Sequence, residues 1–213
     1  MPDKVISNGP ENADRVFVFA HGAGAPMDSG FMETVATGLA RHGIRVLRFE
    51  FPYMQRRRSE GTRRPPDKQP VLLQHFTETL FSLIRPDKSR LFVGGKSMGG
   101  RMATLLTADA AVVSQAGICG CICFGYPFHA PGKPMGNRMD HFQSLEMPLL
   151  ICQGTRDPFG GREEFGTANL PRPVAIEWLE DGDHDLKPRK KSGLSHAENI
   201  ERAINLSVQF MKN

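Results

Sequence analysis

A serine stands between glycines in the segment from Gly95 to Gly100, which reads Gly-Lys-Ser-Met-Gly-Gly. The apolar run of residues 91–94 before it predicts a strand, and residues 102–106 after it predict a helix. A serine on a tight strand-to-helix turn exposes its hydroxyl, and glycines flank it because side chains would clash there. The start of the helix directs N–H groups towards negative charge that develops near that oxygen. The segment therefore predicts Ser97 as a nucleophile.

A serine hydroxyl is a poor nucleophile until a base takes its proton and a carboxylate holds that base in one tautomer. Loops after two later predicted strands offer both groups, His184 in Gly-Asp-His-Asp and Asp157 in Gly-Thr-Arg-Asp. Ligand sites in open parallel sheets form at the carboxyl ends of the strands, so all three loops are expected at one edge. We predict His184 as the base and Asp157 as the acid.

Other histidines could act as the base. His196 opens the last predicted helix and is the main rival of His184. The remaining candidates lie within predicted helices or near the segment after the predicted strand Ile118–Gly125. None of them follows one of the last strands; they are His42, His75, His129 and His141. Position after a strand, in a loop that contains glycine, favours His184.

Other carboxylates could act as the acid. Asp181 and Asp183 are rivals of Asp157, although their closeness in sequence to the base favours a part in shaping its loop. Glu163 and Glu164 are interpreted as the first turn of a helix, where carboxylates are favourable.

A glycine-rich loop, His21–Pro26, follows the first long predicted strand. Attack on a carbonyl creates an oxyanion that needs two N–H donors, and small residues let the backbone approach it. We expect these donors from Met98, directly after the nucleophile, and from Ala23 in this loop. The loop lacks both glycine-rich phosphate-binding sequences, G-x-G-x-x-G and G-x-x-x-x-G-K-[ST]. His21 is interpreted as fixing the loop rather than as a catalytic group.

Strands alternate with helices along the chain, which predicts an α/β fold with a mostly parallel central sheet and helices on both faces. Most of the predicted strands are apolar nearly throughout, as is typical of strands covered on both faces. A length of 213 residues suits a single domain over residues 1–213. The predicted strands are Arg15–Ala20, Arg45–Phe51, Leu91–Gly95, Ile118–Gly125, Pro148–Gln153 and Val174–Leu179, with Val5–Ile6 as a possible edge strand. The predicted helices are Gly30–His42, Val71–Ile84, Gly100–Thr107, Arg138–Ser144, Gly161–Ala168 and Ser195–Met211, the last with a capping box from Ser195 to Glu198.

Positive charge is concentrated in two segments, although the net charge is only +4. Tyr53–Lys68 contains five arginines and is predicted as the longest irregular loop, which could overhang the active site; Lys187–Lys191 holds the second cluster. Such clusters attract anionic partners or are simply solvated. No aromatic residues interleave with the arginines, so nucleic acid is not an expected partner.

Four cysteines, at positions 119, 121, 123 and 152, suit a reducing compartment without disulfides. The three that alternate from Cys119 to Cys123 are predicted to share one face of a strand, as small apolar residues without zinc-site spacing. The beginning of the chain resembles no secretory signal, and no apolar run suggests a membrane span. We therefore expect a cytoplasmic protein, with no membrane partner and no metal.

These motifs together resemble the α/β-hydrolase superfamily, and more narrowly the small dienelactone-hydrolase-like proteins, which include bacterial hydrolases and animal testis-expressed relatives. The matching segments are His21–Met27, Gly95–Arg101, Gly154–Asp157 and Gly182–Leu186. The resemblance implies a Ser97–Asp157–His184 triad, no cofactor and, in so short a chain, little or no cap domain. True dienelactone hydrolases use a cysteine nucleophile, so Ser97 argues against dienelactone as the substrate.

The sequence therefore predicts a serine hydrolase that acts on a carboxylic ester or thioester through an acyl-enzyme. The alternative is an α/β-hydrolase fold used as a binding or scaffold module, with Arg56–Arg64 as its partner surface. Four apolar side chains could either line the substrate pocket or pack in the core; they are Tyr53, Met54, Phe128 and Met135.

Overall fold

The computed structural model describes residues 5–84, 89–133, 136–166 and 170–213. In these residues the strands are β1 (Ile6–Asn8), β2 (Arg15–Ala20), β3 (Arg45–Phe49), β4 (Arg90–Lys96), β5 (Ile118–Phe124), β6 (Leu149–Gly154) and β7 (Val174–Leu179). They form one sheet in the order β1-β3-β2-β4-β5-β6-β7, with β1 antiparallel to β3 and all other neighbours parallel. All six predicted strands are present with ends within two residues of the prediction, and the edge strand predicted at Val5–Ile6 forms at Ile6–Asn8.

Helices cover both faces of the sheet, as predicted. The α-helices in the described residues are α1 (Gly30–Arg41), α2 (Pro52–Glu60), α3 (Gln69–Leu83), α4 (Met98–Thr107), α5 (Ala110–Ala116), α6 (Arg162–Phe165) and α7 (His196–Lys212). The buried side chains of α1 and α7 join one apolar core, and those of α2 to α6 join the core on the opposite face. Because these helices belong to the two layers, little of the described chain remains to cap the strand ends.

The last helix, α7, begins at the predicted capping box. The Ser195 hydroxyl accepts a hydrogen bond from the Glu198 amide (3.2 Å), and the Glu198 carboxylate accepts one from the Ser195 amide (2.7 Å). One turn into the helix, the Asn199 side chain donates to the carbonyls of Glu180 and Leu186. The helix therefore holds both ends of the loop that follows β7.

The prediction of an irregular loop over Tyr53–Lys68 is wrong for its first half, which forms α2 (Pro52–Glu60). Proline suits the first turn of a helix, and Gly61 ends the helix in the left-handed conformation (φ 66°). Tyr53 and Met54 are buried and anchor this otherwise polar helix in the core. Only residues 61–68 remain irregular.

Two shorter helix predictions also need correction, and one helix was missed. The helix predicted over Arg138–Ser144 is a 3-10 turn at Asp140–Ser144, and the helix predicted over Gly161–Ala168 forms only at Arg162–Phe165, with residues 167–169 outside the described part of the chain. Helix α5 was not predicted, although Asp109 caps its first amides and Gly117 ends it with a positive φ. These helices have only 4 to 7 residues, too few to show a helical periodicity.

The prediction that three alternating cysteines share one face is wrong for Cys119. The pairing of β5 with β4 skips this residue, since Ile118 and Gly120 pair with consecutive residues of β4. Such a bulge changes which face the side chain meets. Cys119 packs beside the core under α1 and α7, whereas Cys121 and Cys123 are buried in the opposite core.

Candidate active site

Strand β4 runs into helix α4 through a single residue, Ser97, with φ 53° and ψ −116°. A non-glycine residue adopts a positive φ at an energetic cost, so the surrounding structure must hold this turn. At Gly99, an added Cβ would lie 2.5 Å from the carbonyl oxygens of Ala20 and His21. At Gly95, it would lie 2.3 Å from the carbonyl carbon of Gly99. Both glycines are therefore required for the close approach of β4, α4 and the loop after β2.

The structure brings Ser97, His184 and Asp157 together at the carboxyl ends of β4, β7 and β6. The Ser97 hydroxyl lies 2.8 Å from His184 Nε2, and His184 Nδ1 lies 2.8 Å from Asp157 Oδ2. Because the carboxylate accepts a proton from Nδ1, the unprotonated Nε2 faces the serine hydroxyl. The arrangement can take a proton from Ser97 and stabilise the imidazolium that results.

Two further side chains fix this chain of hydrogen bonds. Gln153, buried at the end of β6, donates to Asp157 Oδ2 (2.8 Å), and the Phe159 amide donates to Oδ1 (2.8 Å). The Phe159 ring packs on the His184 imidazole, with 4.2 Å between centroids. The Asp157 side chain is fully buried. The carboxylate therefore has one orientation, which is set by donors on both oxygens.

The rival carboxylates have other partners. Asp181 binds the guanidinium groups of Arg189 and Arg156, and the hydrogen bond from Arg189 lowers the pKa of Asp181 to about 2. Asp183 accepts hydrogen bonds from the amides of Asp185 (2.9 Å) and Lys187 (3.0 Å). Both aspartates therefore shape the loop that carries the base, as the sequence indicated. Glu163 and Glu164 lie in the first turn of α6, also as predicted.

The rival histidines also have partners away from Ser97. His196 Nε2 lies 2.8 Å from the carbonyl oxygen of Asp185, so it anchors the loop after β7. The other candidate histidines contact groups other than Ser97. His75 contacts the Glu50 carbonyl, His129 contacts the Glu164 carboxylate and His141 contacts the Thr104 hydroxyl. His42 lies at the end of α1.

His21 fixes the loop after β2, as interpreted from the sequence. Its Nε2 accepts a hydrogen bond from the Phe51 amide (3.1 Å), so Nδ1 carries the proton and donates to the Gly22 carbonyl (2.7 Å). Burial lowers the pKa of His21 to about 4, in agreement with a neutral ring. The described peptide bonds are all trans. Because the Gly22 carbonyl faces His21, the N–H of Ala23 on the same peptide unit points the opposite way.

A second group holds the next peptide of this loop. The Tyr53 hydroxyl donates to the Ala23 carbonyl (2.9 Å) from the buried start of α2. Met98 begins α4, and the first amides of a helix have no intrahelical acceptor. The amides of Ala23 and Met98, the predicted oxyanion donors, thus belong to backbone that is fixed on both sides of Ser97.

An open cleft of about 340 Å³ lies over these groups. Small residues (22–25) and the side chains of Phe31, Met32 and Phe159 line it together with Ser97 and His184, and Lys96 and Asp185 also contribute to its surface. The apolar side chains left open by the sequence belong to the core instead: Tyr53, Met54 and Phe128 are buried there, and Met135 lies outside the described residues. The cleft is therefore mostly apolar and shallow.

Ion pairs within the chain engage three arginines of the basic segment Tyr53–Lys68, namely Arg56, Arg58 and Arg64. Arg58 binds both Glu50 and Asp28, which ties α2 to the loop after β2. Arg56 binds Asp67, and Arg64 binds Glu60. These pairs offset part of the positive charge of the segment, and those of Arg58 brace the loop after β2.

Sequence reasoning missed the polar residues that support the site. Gln153 stands out only as an amide in the otherwise apolar strand Leu149–Gly154, and Lys96 as the variable position of the serine motif. A polar residue in a run of buried residues is the signal that could have found both. Within the described ranges, no three metal-ligating side chains converge, and no helix has the length and apolarity that a bilayer crossing requires.

A family model described as "Alpha/beta hydrolase domain" matches residues 13–212. Solved structures with the same fold share little sequence. A serine hydrolase homologue from Coxiella burnetii has a TM-score of 0.71 at 16% identity, covering 94% of this chain and 88% of that one. The dienelactone hydrolase from Anabaena variabilis has a TM-score of 0.70 at 18% identity, covering 96% and 88%.

A third similar structure comes from Xanthomonas campestris and is described as an α/β serine hydrolase without a lid. Its TM-score is 0.61 at 18% identity, with 96% of this chain and 87% of that one covered. At these identities the structural matches establish the fold alone, while the family match extends over nearly the whole chain.

Proposed function

Since the chain belongs to the alpha/beta hydrolase family, we propose that it hydrolyses carboxylic esters or thioesters with Ser97 as nucleophile, His184 as base and Asp157 as acid. The observation that carries this proposal is the continuous hydrogen-bond chain from a positive-φ serine through an imidazole to a buried carboxylate. Fold alone would not support an activity, whereas these three groups at 2.8 Å spacing do.

The reaction follows from this geometry. His184 Nε2 takes the hydroxyl proton as Ser97 Oγ bonds to the carbonyl carbon, and the carbonyl oxygen becomes an oxyanion held by the amides of Met98 and Ala23. The tetrahedral adduct collapses, and His184 gives its proton to the departing alcohol or thiol. Water, deprotonated by His184, then attacks the acyl-enzyme, and His184 returns the proton to Ser97 Oγ as the acid is released. Asp157 stabilises the imidazolium in both halves.

The cleft indicates the size and polarity of the substrate. Its volume of about 340 Å³ suits a small to medium ester. Small residues at 22–25 leave room beside Ser97, and Phe31 and Phe159 provide apolar walls. We therefore expect neutral esters with short acyl chains to be better substrates than long-chain lipids.

A fluorophosphonate probe tests the proposal directly. The purified protein is treated with the probe, and the adduct is located by peptide mass spectrometry. We expect labelling at Ser97 in the folded protein and none after heat denaturation, because only the assembled site activates the hydroxyl. Hydrolysis of p-nitrophenyl acetate and of an acetyl thioester then separates esterase from thioesterase activity. A folded protein without an adduct at Ser97 contradicts the proposal.

The bond from Tyr53 to the oxyanion loop leads to a further prediction. Tyr53→Phe removes the donor to the Ala23 carbonyl. The amide of Ala23, the oxyanion donor proposed for this loop, is then less well fixed when the oxyanion forms. Since loss of a whole donor costs about 10²- to 10³-fold in kcat, we expect a partial loss of about tenfold with little change in KM. Steady-state kinetics with p-nitrophenyl butyrate measures both constants.

The other tyrosine of the chain is a matched control. Tyr126 is also buried, and its hydroxyl also donates to a backbone carbonyl, that of Arg138. Tyr126→Phe is therefore expected to lose similar stability but to keep its kcat. Equal losses of kcat in both variants would indicate general loosening of the fold instead of a role for Tyr53 at the oxyanion loop.

A further inference from the structure

Lys96, the residue before the nucleophile, is buried below the cleft with 7% of its surface exposed. Its ammonium donates a 2.6 Å hydrogen bond to the backbone carbonyl of His184 and lies 3.2 Å from an oxygen of Asp185. It also stands 5.3 Å above the centre of the Phe31 ring. A lysine is rarely buried without a specific role for its charge. This one joins the strand of the nucleophile to the loop of the base.

The loop of the base is held in a conformation that the backbone does not favour. Asp181 and Leu186, on either side of His184, both have positive φ, at 52° and 63°. Such residues persist only where other contacts hold them. The carbonyls along the loop are each bound by a partner: that of Gly182 by the Arg156 amide, that of Asp185 by His196 and that of Leu186 by Asn199. At the central position, the carbonyl of His184, the donor is Lys96.

The chain leaves space for this contact at Gly125, after β5. Gly125 has φ 66°, and an added Cβ would lie 2.7 Å from the His184 carbonyl oxygen and 3.1 Å from Lys96 Nζ. The same position is 3.3 Å from His184 Nδ1. The ammonium, the carbonyl and the imidazole therefore converge around a residue without a side chain.

Negative charges offset the cost of burying this cation. Burial lowers the pKa of Lys96, whereas the carboxylates of Asp185, Asp157 and Asp183 oppose that shift. The side chain of Asp185 is 67% exposed, so water weakens its pull on the ammonium. The neutral carbonyl at 2.6 Å is the closest and best-shielded partner.

From these contacts we infer that Lys96 is a positioning residue, which sets the place of the His184 imidazole relative to Ser97 by holding the His184 carbonyl. The inference rests on the proposed function. It assigns the variable position of the serine motif a task in the chemical step and none in substrate binding. A misplacement of about 1 Å in such a site can lower a rate by about 100-fold.

The test uses the rate of Ser97 labelling by a fluorophosphonate, separated into the maximal rate constant and the half-saturating probe concentration. Lys96→Ala is expected to lower the maximal rate constant by about 100-fold with the half-saturating concentration unchanged. n-Propylammonium replaces the three carbons and the ammonium group that Lys96→Ala removes, and it can enter from the cleft. It should restore the maximal labelling rate constant, with an effect that saturates as its concentration rises. Propionitrile has the same number of heavy atoms but no hydrogen-bond donor, so it should not restore the rate. Lys187 is an exposed lysine in the loop that carries His184. The control variant Lys187→Ala should be labelled like the wild type, with or without the amine.

Each outcome separates the two proposals. A wild-type protein that does not label at Ser97 overturns the proposed function and this inference with it. A reactive wild type with an equally reactive Lys96→Ala variant overturns the inference alone. So does rescue by propionitrile that is as good as rescue by the amine. If Lys96→Ala does not fold, Lys96→Met keeps the volume without the donor. The same slow labelling is expected there, and a wild-type rate in Lys96→Met also overturns the inference.

Discussion

Replacement of Ser97 by alanine is expected to lower ester turnover by about 10⁴- to 10⁶-fold while the fold is retained. The change removes only the oxygen that lies 2.8 Å from His184 Nε2. Alanine keeps the Cβ and can occupy the same positive-φ position at a similar cost, so the turn between β4 and α4 should persist. The kcat/KM for p-nitrophenyl acetate measures the loss, and circular dichroism with thermal unfolding measures the fold.

A double variant shows whether the groups act as one unit. His184→Ala alone should lose about as much turnover as Ser97→Ala, because the hydroxyl is inert without its base. The combined variant should then lose no more than either single one. Additive losses would mean that the two side chains contribute separately, and unchanged turnover in Ser97→Ala would rule out the serine mechanism.

The sheet was predictable because local runs of apolar residues in the sequence mark its strands. Strands β2 and β4 to β6 are covered on both faces, so they are apolar along nearly their whole length, and each is bounded by glycine, proline or polar residues. The three loops of the candidate site follow from that reading, since parallel strands place their carboxyl ends at one edge. No contact had to be known to bring Ser97, Asp157 and His184 to the same edge.

Helix α2 was not predictable in this way. Six of its nine residues, Gln55–Glu60, are polar, and its apolar contribution is concentrated in Tyr53 and Met54. What stabilises it is long-range: Arg58 binds Asp28 and Glu50, and Arg56 binds Asp67 beyond the helix end. Periodicity within one segment does not report on such partners.

The supporting polar residues were missed for the same reason. Lys96 meets a carbonyl 88 residues away, and Gln153 meets a carboxylate that only the turn after β6 brings back towards it. In a sequence these residues differ from their neighbours by polarity alone. The candidate catalytic residues lie in recognisable motifs, whereas the groups that orient them are identified only from contacts in the folded chain.

Replacement of Asp157 by asparagine is expected to lower kcat by about 10⁴-fold. Both carboxylate oxygens accept hydrogen bonds, Oδ2 from His184 and Gln153 and Oδ1 from the Phe159 amide. An asparagine in either orientation must turn its NH₂ group towards one of these donors. If the amide keeps its oxygen on Phe159, the NH₂ faces the imidazole, which favours the wrong tautomer for taking the proton of Ser97. Steady-state kinetics with p-nitrophenyl acetate measures the loss.

Asp183→Asn is the matched control, because Asp183 is a rival acid directly beside the base. One oxygen of Asp183 accepts both of its backbone hydrogen bonds, from Asp185 and Lys187. The carbonyl oxygen of asparagine can accept the same two bonds with its NH₂ turned outward, so the loop should keep its shape. We expect turnover within about threefold of the wild type, the range of an ordinary surface substitution. An equally large loss of turnover in Asp183→Asn and in Asp157→Asn would contradict the assignment of Asp157 as the acid.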